Sequence, residues 1–318
     1  MSIKKLITAL GFAGVILSSQ AQASFEIDLL NKTEGQDPAM TLIKSMLANN
    51  SGINIIEGSA EFHGRLGDGS NAYSAQSGTF RDLDMTHASN GKRINLNRGA
   101  LLTTGSANVP KANSFEDFSH LRSGAPALPT ASHAGVEKIL KNAGLPGANR
   151  DYNSVKVKFT VEEGIKAIQS MFVFATEEFP DQAVTDIFTF IIDGKNFAYF
   201  QDGSLISFLT GANAHNFNNN ELGSDNLPIE YDGVSDVLTV IGLLDEDLDE
   251  HTLEIVIADT ADTIYDSVAF VGDLRACRRS ENCEPGIVPE PNMISLMLGG
   301  VLLALGFGGQ TRRRRIYS

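Results

Sequence analysis

The segment Ser154-Val-Lys-Val-Lys-Phe159 decides the fold class, because its apolar and basic side chains alternate with a period of two. This period is typical of a β-strand with one buried face and one solvated face. Two denser apolar segments follow, at residues 170–175 and 186–192, and their aromatic and β-branched residues suit the centre of a sheet. The second half of the chain is therefore predicted to be β-structure.

Other short apolar segments extend this pattern in both directions. Strands are predicted at residues 53–56, 77–80, 99–104, 205–208, 237–241, 253–258 and 264–271. Asp193-Gly194 lies between two apolar runs, which is the signal of a two-residue hairpin. Many short strands without amphipathic helices between them predict a mainly β fold, an antiparallel, jelly-roll-like β-sandwich.

Two short helices are predicted beside the strands. Residues 38–48 place apolar side chains on one helical face, with Asp37 as the N-cap and Pro38 as the first helical residue. Residues 132–142 form a second helical pattern inside a Gly/Pro/Ser-rich stretch, residues 106–150.

The composition excludes some classes of function. The chain has 318 residues, 39 acidic and 25 basic side chains, and a formal net charge of −14. It is long enough to bury one large core or two small ones. A protein that neutralises phosphates needs a basic face, so no nucleic-acid partner is expected.

The N-terminus has the pattern of a secretory signal peptide over residues 1–23. Two lysines, Lys4 and Lys5, precede an apolar run, and Ala21-Gln-Ala23 supplies a small-x-small cleavage site. We predict cleavage after Ala23, with the secretion translocon and signal peptidase as partners.

The C-terminus carries a second apolar run, residues 293–309, followed by Arg312, Arg313, Arg314 and Arg315. As a helix this run spans roughly 25 Å, a little less than the ~30 Å hydrocarbon core of a bilayer. The arginines would hold their end in the cytoplasm, so the preceding chain would lie outside. These features predict a transmembrane helix that anchors the chain in the inner membrane.

Pro289-Glu290-Pro291 stands directly before this helix, and the ordered set over residues 289–315 resembles the PEP-CTERM sorting signal of Gram-negative bacteria. The resemblance implies recognition by a membrane protease, exosortase, which removes the tail and passes the protein towards the cell surface. Hosts of this signal usually make an exopolysaccharide. The alternative is an ordinary permanent anchor.

Processing at both ends would make the chain more acidic. It would remove six basic residues, Lys4, Lys5 and four arginines, but only one acidic residue, Glu290. We therefore expect an acidic extracellular domain, residues 24–276, that attracts cations. A stem follows at residues 277–288. Its Cys277 and Cys283 are predicted to form a small-loop disulfide, since the periplasm is oxidising.

Three core segments carry a further resemblance: residues 99–105 (GALLTTG), residues 172–194 (beginning FVFATEEFP) and residues 257–270 (IADTADTIYDSVAF). In this order they resemble the choice-of-anchor L domain, a bacterial extracellular module joined to several kinds of surface anchor. The resemblance extends from about Pro38 to Leu274 and implies no established activity.

Acidic side chains follow several predicted strands. Glu177 and Glu178 end one strand, and Asp259, Asp262 and Asp266 lie between two others. If these strands are neighbours, the carboxylates converge and repel one another unless a cation lies between them. We predict a structural Ca²⁺ site with Glu178, Asp259, Asp262 and Asp266 as ligands and Asp186 as a lesser candidate. The alternative is a set of solvated strand-end acids and turn caps.

No catalytic residue is predicted. Residues 245–256 fail as an EF-hand, because Glu250 occupies the sixth position and Val256 the twelfth. The six histidines lack zinc-ligand spacing, and no Gly-x-Ser-x-Gly motif occurs. Glu177 and Glu178 are adjacent, so as strand residues they point to opposite faces and cannot form one glycosidase pair.

The sequence thus favours a non-catalytic secreted or surface-anchored protein with a structural or adhesive role in an exopolysaccharide or biofilm matrix. One alternative is a calcium-dependent carbohydrate-binding module, for which residues 215–220 are the local candidate. Another is a carbohydrate-active hydrolase that uses Glu178 or Asp186.

Overall fold

The computed structural model describes residues 25–114, 132–182, 186–209, 211–224, 226–260 and 265–277. The predicted signal peptide, Asp262, Cys283, the sorting signal and its transmembrane helix lie outside these ranges. No helix in the described part of the chain is long and apolar enough to cross a membrane.

Antiparallel strands dominate the described chain, which confirms the prediction of a mainly β fold. The strands are β1 (Glu26–Leu29), β2 (Ile53–Ile55), β3 (Glu61–His63), β4 (Ser77–Thr86), β5 (Arg93–Thr103), β6 (Arg150–Val161), β7 (Ala167–Thr176), β8 (Ile187–Ile192), β9 (Lys195–Asn196), β10 (Phe217–Asn219), β11 (Gly233–Ser235), β12 (Leu238–Leu243), β13 (His251–Asp259) and β14 (Ser267–Cys277). The α-helices are α1 (Pro38–Met46) and α2 (Ala134–Asn142).

These strands form two sheets. The order in the larger sheet is β1-β4-β5-β14-β7-β11-β10, with β12 also paired to β7. The order in the smaller sheet is β2-β6-β13-β8-β9, with β3 also paired to β6. Every strand pair within them is antiparallel.

One cluster of buried side chains draws on both sheets and forms the main core. It includes Phe172 and Phe174 of β7 together with Phe188 and Phe190 of β8, and the rings of Phe172 and Phe188 have centroids 4.8 Å apart. Helix α1 adds Ile43 and three other residues to this cluster. Because burial of each such ring removes a large apolar area from water, this shared core holds the two sheets together.

The larger sheet is buried on its other face as well. A second cluster there contains Phe80 and Phe270, whose rings meet edge to face with centroids 5.2 Å apart, and Phe25, which precedes β1. A third, smaller cluster lies on the outer face of the smaller sheet, where Val136 and Leu140 of α2 cover part of it. The rest of that outer face is not covered by α2.

The local signals in the sequence account for the caps and the hairpin. The Asp37 side chain accepts a hydrogen bond from the Met40 amide at 3.0 Å, so it caps α1 as predicted. His133 caps α2 in the same way, because its Nδ1 accepts from the Val136 amide at 3.1 Å. The β8–β9 hairpin turns at Asp193 and Gly194, which both have positive φ, 48° and 79°.

Some strand limits differ from the prediction. Strand β5 begins at Arg93, ahead of the predicted residue 99, because Ile94 and Leu96 bury their side chains in the second cluster. Residues 205–208 make only isolated bridges, through Leu205 and Ile206, instead of a strand. Strand β14 extends to Cys277, which is buried, so the sheet includes the residue at which the stem was predicted to begin.

Candidate functional site

Five buried carboxylates lie at strand ends, and we call this region the acidic end. Glu177 and Glu178 follow β7, Asp266 precedes β14, Asp186 precedes β8, and Asp259 ends β13. Each residue is at most 5% exposed. Because a carboxylate loses hydration when it is buried, this region needs internal compensation of its charge.

The strand pairing brings these residues together in two groups. Thr176 pairs with Ser267 in the larger sheet, so Glu177 and Asp266 come from adjacent strand ends. In the smaller sheet Ala258 pairs with Ile187, which places the ends bearing Asp259 and Asp186 side by side. The strands that bear Glu177 and Asp266 are therefore neighbours, while Asp259 belongs to the other sheet.

Thr104, the residue after β5, connects the two groups. Its hydroxyl donates to Asp186 Oδ2 at 3.1 Å and accepts from the Ser267 amide at 2.9 Å. One side chain therefore joins the start of β8 to the start of β14, and it is only 1% exposed.

Backbone and hydroxyl groups hold the two strand ends of the larger sheet in place. The Glu177 amide donates to the Asp266 carbonyl at 3.2 Å, and the Glu178 amide donates to Thr176 Oγ1 at 3.1 Å. The hydroxyls of Ser267 and Thr176 are 2.8 Å apart. These contacts join the end of β7 to the start of β14.

Gly105 and Tyr231 show how tightly Asp266 is enclosed. A Cβ atom on Gly105 would lie 1.8 Å from Asp266 Oδ2, so the carboxylate occupies the space that a side chain would need. Tyr231 is fully buried, and burial followed by the negative charges of Asp266, Glu177 and Asp186 raises the pKa of its hydroxyl well above the usual value. The tyrosine thus lies among three of the five carboxylates.

A cation from a distant part of the chain accompanies these acids. Burial lowers the pKa of the Arg65 guanidinium, while the negative charges of Asp151 and Asp266 oppose that shift. Its three guanidinium nitrogens are buried and make no hydrogen bond to the part of the chain that the structure describes. Arg65 therefore offsets some of the negative charge through space.

The predicted calcium ligands are only partly represented in this region. Glu178, Asp259 and Asp266 are present and buried, while Asp262 lies outside the described residues. Among the residues with described positions, no group of three or more His, Cys, Asp or Glu side chains is arranged to hold a metal ion. The calcium site stays a prediction.

The other candidate residues lie apart from the acidic end. Residues 214–216 form a short 3-10 helix, and His215 pairs with Asp202 at 3.0 Å on the surface. The acidic run that begins at Asp245 is a loop between β12 and β13. Cys277 is described, but its predicted disulfide partner is not.

No sequence pattern marks Arg65, Thr104 or Tyr231 as residues of this region. Thr104 and Ser267 are 163 positions apart in the chain, so their contact depends on the tertiary fold. Thr104 does lie in the conspicuous segment at residues 99–105, but nothing local distinguishes its hydroxyl from that of any other threonine. No local signal marks Arg65.

The structure defines the class of protein: it is a mainly antiparallel β domain with buried acids at its strand ends. Comparison with family models identifies it further: the Choice-of-anchor L domain model matches residues 30–273, so the chain belongs to this family. Membership indicates a surface-associated bacterial protein. A search of curated proteins and a search of solved structures each gave no match.

Proposed function

We propose that this chain is a non-catalytic protein that exosortase sorts to the cell surface, where it has a structural or adhesive role in an exopolysaccharide or biofilm matrix. The family supports the surface location. The ordered C-terminal pattern of Pro289-Glu290-Pro291, apolar segment and arginine cluster supports the sorting route.

The burial of the acidic end is the observation that carries the non-catalytic part of the proposal. The hydrolase alternative needs Glu178 or Asp186 at a surface that a glycan can reach. These side chains are 1% and 0% exposed, respectively. Glycosidase carboxylates must flank the scissile bond of a bound sugar, and residues enclosed in this way do not meet that requirement.

Cell fractionation with intact mass measurement tests the sorting route. We expect the protein recovered from the envelope or medium of its native host to lack residues 1–23 and the tail with Arg312 to Arg315. Glu290→Ala should leave the tail in place, whereas Pro285→Ala, just upstream of the motif, should not. Full retention of the tail in the unmodified protein would instead support a permanent anchor and contradict the exosortase role.

We also propose that the acidic end binds a structural Ca²⁺ ion. The burial of Glu178, Asp259 and Asp266 supports this, since buried like charges are stable only with a nearby positive charge. Ca²⁺ accepts 6–8 oxygen ligands in flexible geometry, and it binds extracellular modules with Kd of about 10⁻⁴–10⁻³ M. Asp262 would complete the predicted ligand set. A calcium-dependent carbohydrate-binding module is the variant of the adhesive role that such a site would suit.

A further inference from the structure

A shallow cavity with several charged side chains opens on the outer face of the smaller sheet, beside the part that α2 covers. Its volume is about 330 Å³, and its lining includes Glu61, Lys156, Lys158, Ile191, Thr252 and Glu254. We call it the outer groove. Its size is at the lower end of the range for small-molecule sites, which suits one small ligand or a short part of a polymer.

Strand register fixes the arrangement of these side chains. Lys156 of β6 lies opposite Glu61 of β3 on one side and Glu254 of β13 on the other, and Glu254 also lies opposite Ile191 of β8. Strands in a sheet are about 4.8 Å apart, so these four residues form a row of roughly 14 Å across the sheet. The row presents two carboxylates and one ammonium group, while Ile191 at its end is only 6% exposed and packs in the cluster that α2 covers.

Lys158 adds a positive charge without a carboxylate opposite it. Its cross-strand neighbour on β13 is Thr252. On the other side of Lys158, the Ser59 hydroxyl accepts a hydrogen bond from the Lys158 amide at 3.1 Å and donates one to the Lys158 carbonyl at 3.2 Å. Asp193 also lines the groove, but its oxygens accept from the Thr252 amide and contact His251 Nδ1, both at 2.8 Å. Neither Lys156 nor Lys158 forms an ion pair within the described ranges.

The carboxylates of Glu61 and Glu254 line the outer groove as hydrogen-bond acceptors. His133 Nε2 lies 3.2 Å from Glu254 Oε1 and so fixes this carboxylate at the groove. Glu61 is exposed, and its carboxylate makes no bond within the part of the chain that the structure describes. An ionised carboxylate can only accept, so it requires a ligand with hydroxyl or amine donors.

From this juxtaposition we infer that the outer groove binds a sugar acid unit of a polysaccharide. The uronate carboxylate pairs with Lys158, and the ring hydroxyls donate to Glu61 and Glu254. A sugar acid combines one negative charge with several adjacent hydroxyl donors, which matches this set of partners. The groove is open to solvent at exposed Glu61 and Lys158, so it can accept a unit within a chain. This inference deepens the proposed adhesive function and rests on it.

Calorimetric titration with trigalacturonate tests the inference, using protein expressed from the full-length gene. We expect binding that weakens at high salt, as ion pairs do, and weaker or no binding of neutral maltotriose. Lys158→Gln should lower the affinity about tenfold, the effect of losing one charge-assisted hydrogen bond. Lys44→Gln is the matched control, because this exposed lysine is on α1 outside the groove. Thermal unfolding of both variants checks that they are folded.

The inference would be overturned by no binding at about 10 mM trigalacturonate, by equal binding of maltotriose, or by equal affinities for the two lysine variants. Inorganic phosphate that binds as tightly as trigalacturonate would show a general anion site and would also overturn it. The titration does not depend on export, whereas the mass measurement tests sorting alone. A protein that is sorted but does not bind trigalacturonate would therefore disprove only the groove assignment.

Discussion

The acidic end and the outer groove are both formed by charged residues on strands of the same domain, but they differ in exposure to water. At the acidic end every carboxylate is at most 5% exposed, the Thr104 hydroxyl donates to Asp186, and the charge of Arg65 acts on Asp266. In the outer groove, Glu61 and Lys158 are exposed and Lys156 and Glu254 are half-buried.

This difference separates stability from binding. A buried charge must be compensated by the protein itself, so a change at the acidic end should alter the free energy of unfolding. An exposed charge is screened by water and contributes little to stability, so a change in the groove should mainly alter ligand affinity. Paired substitutions in the two regions can test this distinction.

The largest effect is expected for Thr104→Val at the acidic end. The change keeps the side-chain shape but removes the hydroxyl that bonds to Asp186 and to the Ser267 amide. Loss of hydrogen bonds between buried groups costs about 1–3 kcal/mol each, so we expect the free energy of unfolding to fall by about 2–3 kcal/mol in urea denaturation.

Thr252→Val in the outer groove is the matched control, because Thr252 is half-buried and its hydroxyl makes no hydrogen bond in the described structure. We expect a change within about 0.5 kcal/mol. Equal losses in the two variants would contradict the distinction between the regions.

Removal of calcium should have the next largest effect if the acidic end holds the ion. For a Kd of about 10⁻⁴ M, Ca²⁺ at about 10 mM stabilises the folded state by roughly 2.7 kcal/mol relative to a chelator. Thermal unfolding in Ca²⁺, in Mg²⁺ and in chelator measures this difference. A melting temperature that does not change with chelator would exclude the calcium site.

Variants localise the calcium effect. Asp259→Asn, which neutralises a buried carboxylate, should abolish the response to Ca²⁺. Asp247→Asn removes the same charge from the exposed loop between β12 and β13 and should leave the response unchanged. A response lost equally in both variants would indicate a general effect of charge.

The sequence predicted the β core well because its signals are local. Alternation places Val155, Val157 and Phe159 of β6 in the main core, and the lysines between them face outward, where they line the groove. The same alternation occurs in residues 93–98, which form the first half of β5 ahead of the predicted strand. Residues 205–208 were predicted as a strand from their apolar character, but they only bridge Phe188 and Tyr199.

The candidate sites were harder to predict because they depend on contacts between distant residues. The sequence located the end of β13 at Asp259 to within one residue, but it placed the next strand at residue 264, whereas β14 begins at Ser267 and Asp266 precedes it. The connection through Thr104 and the approach of Arg65 require the order of strands in the sheets, which no local pattern contains. Likewise, the groove depends on the register of β3, β6, β8 and β13, and a shift of one residue would turn every lysine inward.

A smaller effect is expected at the boundary of the outer groove. His133→Ala removes the cap of α2 and the contact with Glu254, so we expect a loss of about 1 kcal/mol in the free energy of unfolding. His215→Ala is the control, since this histidine is exposed and pairs with Asp202 on the surface. It should change stability by less than about 0.5 kcal/mol. Similar losses in the two variants would show that the cap contributes nothing.

The smallest and most specific effect concerns the charge of Glu254. The hydrogen bond from His133 lowers the pKa of this carboxyl below its usual value. A lowered pKa in the folded state means that the ionised group stabilises the fold above the usual pKa of about 4.3, and that this contribution disappears as the pH falls through the folded-state value. We therefore expect Glu254→Gln to be less stable than the unmodified protein at pH 7 and equally stable at about pH 3, as measured by urea unfolding. Glu57→Gln, at an exposed turn, controls for general loss of negative charge. A deficit of Glu254→Gln that persists at about pH 3 would show that packing of the side chain, and not its ionised carboxylate, stabilises this edge of the groove.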